Sequence, residues 1–159
     1  MKVWVWVAAL LMLGIGLRLT GQDRLAAQLE QYLNEKDPVR KARLLVKLGE
    51  SEVDQAKKQL QSGDDVASLE TLEKYRDQAA QTVSGLKASG LNAEKKPAGF
   101  KELQISLRWN IRRVDDLILS LPVDKRPFFR EVRGGLVQMQ NDLVDELFPR
   151  RGGGKKANP

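Results

Sequence analysis

Residues 100–121 read FKELQISLRWNIRRVDDLILSL, and this stretch decides the fold. Phe100, Leu103, Leu107, Ile111, Val114, Ile118 and Leu121 recur at steps of three and four, a heptad row without a polar break. At about 100° per residue these side chains share one face of a helix. A row this long and this apolar is buried only if several other elements surround it. The segment therefore predicts the central helix of a helical core, starting near Pro97. Trp109 does not fit the row: with Ile105 it falls nearly opposite. Lys101, Arg108 and Arg112 flank this second, smaller apolar face on one side and Arg113 flanks it on the other.

Four more helical segments lie around it. The first covers about residues 23–35, with Leu25, Leu29, Tyr32 and Leu33 on one side. The stretch KDPV then interrupts it, with Asp37 as an N-cap and Pro38 suited to a first helical position. The second helix runs to about Ser62 on the row Ala42, Leu45, Gly49, Val53, Ala56 and Leu60. SGDD ends it: Gly63 is the C-terminal cap, and Asp64 or Asp65 caps the third helix. That helix spans about residues 66–88, with Leu69, Leu72, Ala79, Val83 and Leu86 in its row, and SGLNAEKKPAG follows as the longest loop. After LPVD, with Asp124 as the expected cap, a fifth helix carries Phe129, Val132, Leu136, Met139, Leu143 and Leu147. Gly134 and Gly135 in its middle each cost ~1 kcal/mol against alanine, and so imply a close approach of another helix or a kink. No segment alternates with period two. The expected fold is all-α, an antiparallel bundle of four long helices plus a short N-terminal helix, built from residues 22–149.

The two ends read differently. Residues 1–21 are expected to be a signal peptide: Lys2, then the uncharged run VWVWVAALLMLGIGL, then Arg18. The run is short for a membrane span, which needs about 20 apolar residues. Gly21, or the Gly14–Gly16 region, offers a cleavage point; the alternative is a retained N-terminal anchor. Residues 150–159 are glycine-rich and basic and are expected to form a disordered tail.

Charge and composition exclude more than they identify. The formal net charge is +6, but six of the 27 basic residues lie in the two end segments: Lys2, Arg18, Arg150, Arg151, Lys155 and Lys156. The 21 that remain balance the 21 acidic residues, so the body is neutral. No nucleic acid is expected as a partner, since that class carries its excess charge on the body. A chain without histidine or cysteine lacks the usual general base, the thiol nucleophile, disulfides, a lipoprotein attachment point and the soft metal ligands. No cofactor and no metal site are expected. The carboxylate pairs Asp115–Asp116, Asp64–Asp65 and Glu50–Glu52 leave a carboxylate-based enzyme as a minor alternative. Asp115 and Asp116, three and four residues after Arg112, are expected to pair with it.

DPVRKARLLVKLGESEVDQAKKQLQSGD and KKPAGFKEL, within about residues 37–148, resemble uncharacterised, predicted-secreted helical proteins of bacteria. That resemblance implies export and a helical fold and brings no chemistry with it. The first hairpin also resembles a single tetratricopeptide unit, through GDDVASLETLEKY, although a solenoid needs several units.

The function expected is therefore that of an exported, non-enzymatic helical bundle, periplasmic or extracellular, acting as a protein–protein interaction module. A structural envelope protein adhering to anionic surfaces through its basic tail is the alternative. Membrane association is expected only if the N-terminal segment is retained. The candidate interaction patch is Ile105 and Trp109 with Lys101, Arg112 and Arg113. Three readings of the patch stand: the first helix covers it, a partner covers it, or it is an isolated exposed side chain of no consequence.

Overall fold

The computed structural model describes residues 21–149; the expected signal peptide and basic tail lie outside them, apart from Gly21. Five helices form: α1 (Gly21–Asn34), α2 (Pro38–Gln61), α3 (Asp65–Ala88), α4 (Phe100–Ser120) and α5 (Arg126–Leu147). No strand occurs among the described residues.

Local chemistry sets most of the boundaries. Asp37 accepts a hydrogen bond from the Arg40 N–H at 2.7 Å, with Pro38 in the first turn of α2. Gly63, at φ +85°, ends that helix, and Asp64 accepts from the Ala67 N–H at 2.9 Å to start the next. Two expected boundaries move. α4 begins at Phe100 rather than near Pro97, because Gly99 stands at φ +84°, outside helical geometry, where its N–H donates to the Glu102 carboxylate at 2.7 Å. Asp124 does not cap α5. That helix starts at Arg126, where Pro127 suits a first turn that lacks N–H partners, and the Arg126 guanidinium reaches back to the carbonyls of Leu121 and Leu119.

The bundle consists of two antiparallel hairpins, α2–α3 and α4–α5, laid side by side so that α2 packs on α4 and α3 on α5. The loop 89–99 is long enough to carry the chain diagonally across one end, so α2 and α4 run parallel. Two ion pairs across their seam share one offset of 59 residues: Arg43 to Glu102 at 3.2 Å, and Arg113 to Asp54. Lys87 pairs with Asp142 between α3 and α5 at 3.4 Å, again in parallel register. α1 lies antiparallel on α2, with Gly21 beside Lys58 and the Lys41 ammonium 4.7 Å above the Tyr32 ring. Residue 21 and the turns 62–64 and 121–125 thus occupy one end of the bundle, and residue 149 lies at the other.

The heptad row of α4 is buried throughout. Two glycines admit close neighbours. A Cβ at Gly49 would lie 2.4 Å from the Tyr75 ring, and one at Gly135 would lie 2.8 Å from the Arg76 side chain. Gly134 has no such neighbour, so only one glycine of the α5 pair marks a close approach. The Tyr75 ring is fully buried and its hydroxyl is held by the Asn110 side chain at 2.9 Å, so it cannot swing aside. Gly49→Ala should therefore destabilise by about 1–3 kcal/mol through overpacking, despite the ~1 kcal/mol that alanine's helix propensity returns. An equal or higher melting temperature for the variant would refute this.

Candidate interaction surface

The rotation of α4 is fixed by a polar relay as well as by its apolar row. Asn110 points inward, and its amide donates to the buried Tyr75 hydroxyl of α3. Its carbonyl accepts from Arg113 at 3.4 Å, and Arg113 in turn pairs with Asp54 of α2. Burial pushes the Tyr75 hydroxyl up to about 12, so it stays neutral and remains a hydrogen-bonding partner at any physiological pH. With Asn110 turned into the bundle, the preceding Trp109 must face out.

It does so uncovered. Trp109 is 60% exposed and Ile105 43%. The expectation that α1 covers them fails, because α1 packs on α2 instead. Its anchor is Tyr32, whose hydroxyl donates to the Gln78 carbonyl at 3.0 Å and meets Thr82 at 2.9 Å, both on α3. This binding seats α1 over the α2–α3 hairpin.

The remaining candidate residues divide. The Arg112 guanidinium lies over the Trp109 ring, 5.3 Å from its centroid. Lys101 is exposed one turn before Ile105. Arg113 leaves the patch, held in the α2–α4 seam by Asp54 and Asn110. Arg112 does not pair with the aspartates that follow it: Asp115 forms a two-point pair with Arg133 of α5, at 2.5 and 3.1 Å.

A second feature begins where Arg113 stands. Below the Asp54–Arg113 pair, α2 and α4 enclose an open groove of about 560 Å³. Val53, Leu60, Leu117, Leu121 and Pro122 make its apolar lining, and Lys57, Arg113, Asp116 and Lys125 stand at its rim. The Lys125–Asp65 pair, 3.0 Å, holds Lys125 above its ordinary range and Asp65 below its own, and ties the two turns together at the lower end. The groove is not readable from the helical rows, because it exists only once α2 and α4 are known to be parallel neighbours.

A third polar group lies inside. Glu52 of α2 is 1% exposed, accepts from the Gln78 amide at 3.2 Å and has the Lys74 ammonium at 3.5 Å. Burial raises its carboxyl to about 7 against the opposing pull of Lys74 and Gln78. Among the described residues no group of three or more acidic side chains could hold a metal ion, and no helix is long and apolar enough to cross a membrane.

No family model, curated protein or solved structure matches the chain.

Proposed function

We propose that this protein is an exported, non-enzymatic helical bundle that binds a protein partner through the outer face of α4. The observation that carries this reading is Trp109, exposed and overlaid by Arg112, with Ile105 one turn away and Lys101 at the edge. An aromatic side chain with a neighbouring arginine is the composition of interface hot spots. The relay from Tyr75 through Asn110 to Arg113 and Asp54 keeps that face turned outward and rigid, which lowers the entropy lost on binding. The interior supports binding over catalysis: among the described residues it holds one buried carboxylate, Glu52, without a second acid beside it. Export, to the periplasm or the cell exterior, is supported by the uncharged run at residues 3–17 between Lys2 and Arg18.

A photo-crosslinking residue placed at Ile105 in the full chain, expressed in a host of origin, should trap a discrete protein species. The same residue at Glu146, on another helix, should not. Trp109→Ala should remove the crosslink, since loss of such an anchor costs about 2 kcal/mol or more, roughly a 30-fold loss of affinity. It should leave stability within about 0.5 kcal/mol, because the side chain is exposed. Equal crosslinking at both positions, or no effect of Trp109→Ala, would sink the reading.

A further inference from the structure

The groove has a charge pattern that its own walls leave unmatched. Because α2 and α4 run parallel at a constant offset of 59, opposite charges meet across the seam as rungs. Arg43 faces Glu102, and Asp54 faces Arg113. The next pair at the same offset is Lys57 and Asp116. Here the helices stand apart, and neither residue makes an ion pair. The result is a cation and an anion on facing walls at one level, above an apolar floor of Val53, Leu60, Leu117 and Leu121. A volume of about 560 Å³ lies within the range of small-molecule sites, and an apolar lining with a few converging polar groups is their usual make-up.

These walls select among occupants. Most backbone groups of both helices are already paired, those of the last turns with the Ser62, Gly63 and Leu121 N–H groups and the Arg126 guanidinium, so an extended peptide would bury N–H and C=O groups that the apolar floor cannot satisfy. A partner α-helix is about 10 Å across and would offer the groove its side chains only. The run at residues 3–17 of this chain carries no charge to offer Lys57 or Asp116. What fits is an alkyl chain, which needs no polar partner, joined to a head that carries one negative and one positive group. We infer that the groove binds a single-chain zwitterionic amphiphile, its phosphate at Lys57, its ammonium at Asp116 and its alkyl chain along Leu60, Leu117 and Leu121. The groove shares no lining residue with the Trp109 patch, which lies one turn before it along α4, and it stands on a different observation.

Calorimetric titration of the full chain tests it, with monomeric lauroyl lysophosphatidylethanolamine and lauroyl lysophosphatidic acid, both kept below micelle formation, and phosphatidylethanolamine-containing bilayer vesicles as the third arm. The ethanolamine ligand should bind more tightly than the acid, which lacks the ammonium. Asp116→Asn should abolish that preference. Lys57→Gln should weaken both ligands about tenfold. Because both side chains are exposed and unpaired, helical content and melting temperature should be unchanged, so a folding defect is not confused with a binding defect. Equal affinity for the two monomers, or affinities unmoved by both substitutions, would show mere partitioning onto apolar surface and overturn the assignment. Binding to vesicles without binding to monomers would overturn it too, because it would mean adsorption to a bilayer instead of a seated chain.

Discussion

Leu107→Ala should lower the free energy of unfolding by about 2–5 kcal/mol, the cost of a buried leucine that leaves a cavity. Leu107 is fully buried at the middle of α4, the helix that packs against both α2 and α5. Its surroundings cannot collapse readily, because α4 is held in rotation by Asn110 on Tyr75 and in register by Arg43–Glu102 and Asp54–Arg113. The loss should therefore lie towards the upper part of the range. Urea denaturation followed by helical signal measures it. A loss below about 1 kcal/mol would show that the α4 row is not the centre of the core.

Glu52→Gln should make the protein more stable above neutral pH. The folded state holds the Glu52 proton to about pH 7, against 4.5 for an ordinary glutamate, because the buried site disfavours the charge. Between those values the fold retains a proton that the unfolded chain has released. The stability due to this group is thus fully present below about pH 4.5, falls as pH rises and is lost above about pH 7. At about 1.4 kcal/mol per pH unit the loss is on the order of 3 kcal/mol. Glutamine keeps the shape and cannot ionise. The variant should lack this decline and exceed the parent at pH 8, by less than the full amount because it forgoes the Lys74 pair. Asp65 and Glu102 act in another window. Lys125 lowers Asp65; Glu102, despite partial burial, is lowered by its own N–H, by the Gly99 N–H and by Arg43, so the stability from both is present at neutral pH and is lost only in more acid solution. Parallel stability curves for parent and variant from pH 5 to pH 8 would show that Glu52 ionises freely.

The apolar rows were legible because burial against helices imposes a period, and the α4 row repeats it without a break. The caps at Asp37 and Asp64 were legible because a short polar side chain followed by a helical run has one geometric use. The second face of α4 was legible too, since Trp109 and Ile105 stand apart from the row. What covers that face was not. Leu25, Leu29 and Tyr32 mark α1 as amphipathic but do not say which helix it meets; that is decided by the Tyr32 hydroxyl finding Gln78 and Thr82 on α3. The polar interior escaped for a related reason. Glu52 sits in the stretch GESEVD, where a charged residue reads as solvated, and Asn110 reads as a break in polarity beside Ile111. One signal was present: Gly49 in the apolar row of α2 required a large neighbour, and that neighbour is Tyr75. The groove depends on a pairing of non-consecutive helices, which local periodicity does not encode.

α1 contributes one more thing, through its count and not its contacts. Four helices in alternating directions would return the chain to the end where it began. A fifth makes the number odd, so residue 21 and residue 149 leave from opposite ends of the bundle, separated by roughly the 36 Å length of a 24-residue helix. Whatever is attached before α1 and whatever is attached after α5 are held apart by a stiff spacer of that length. Tension between two such attachments would pull α1 along α2 and α5 along its neighbours, loading the packed faces in shear over their whole length instead of peeling them open a turn at a time.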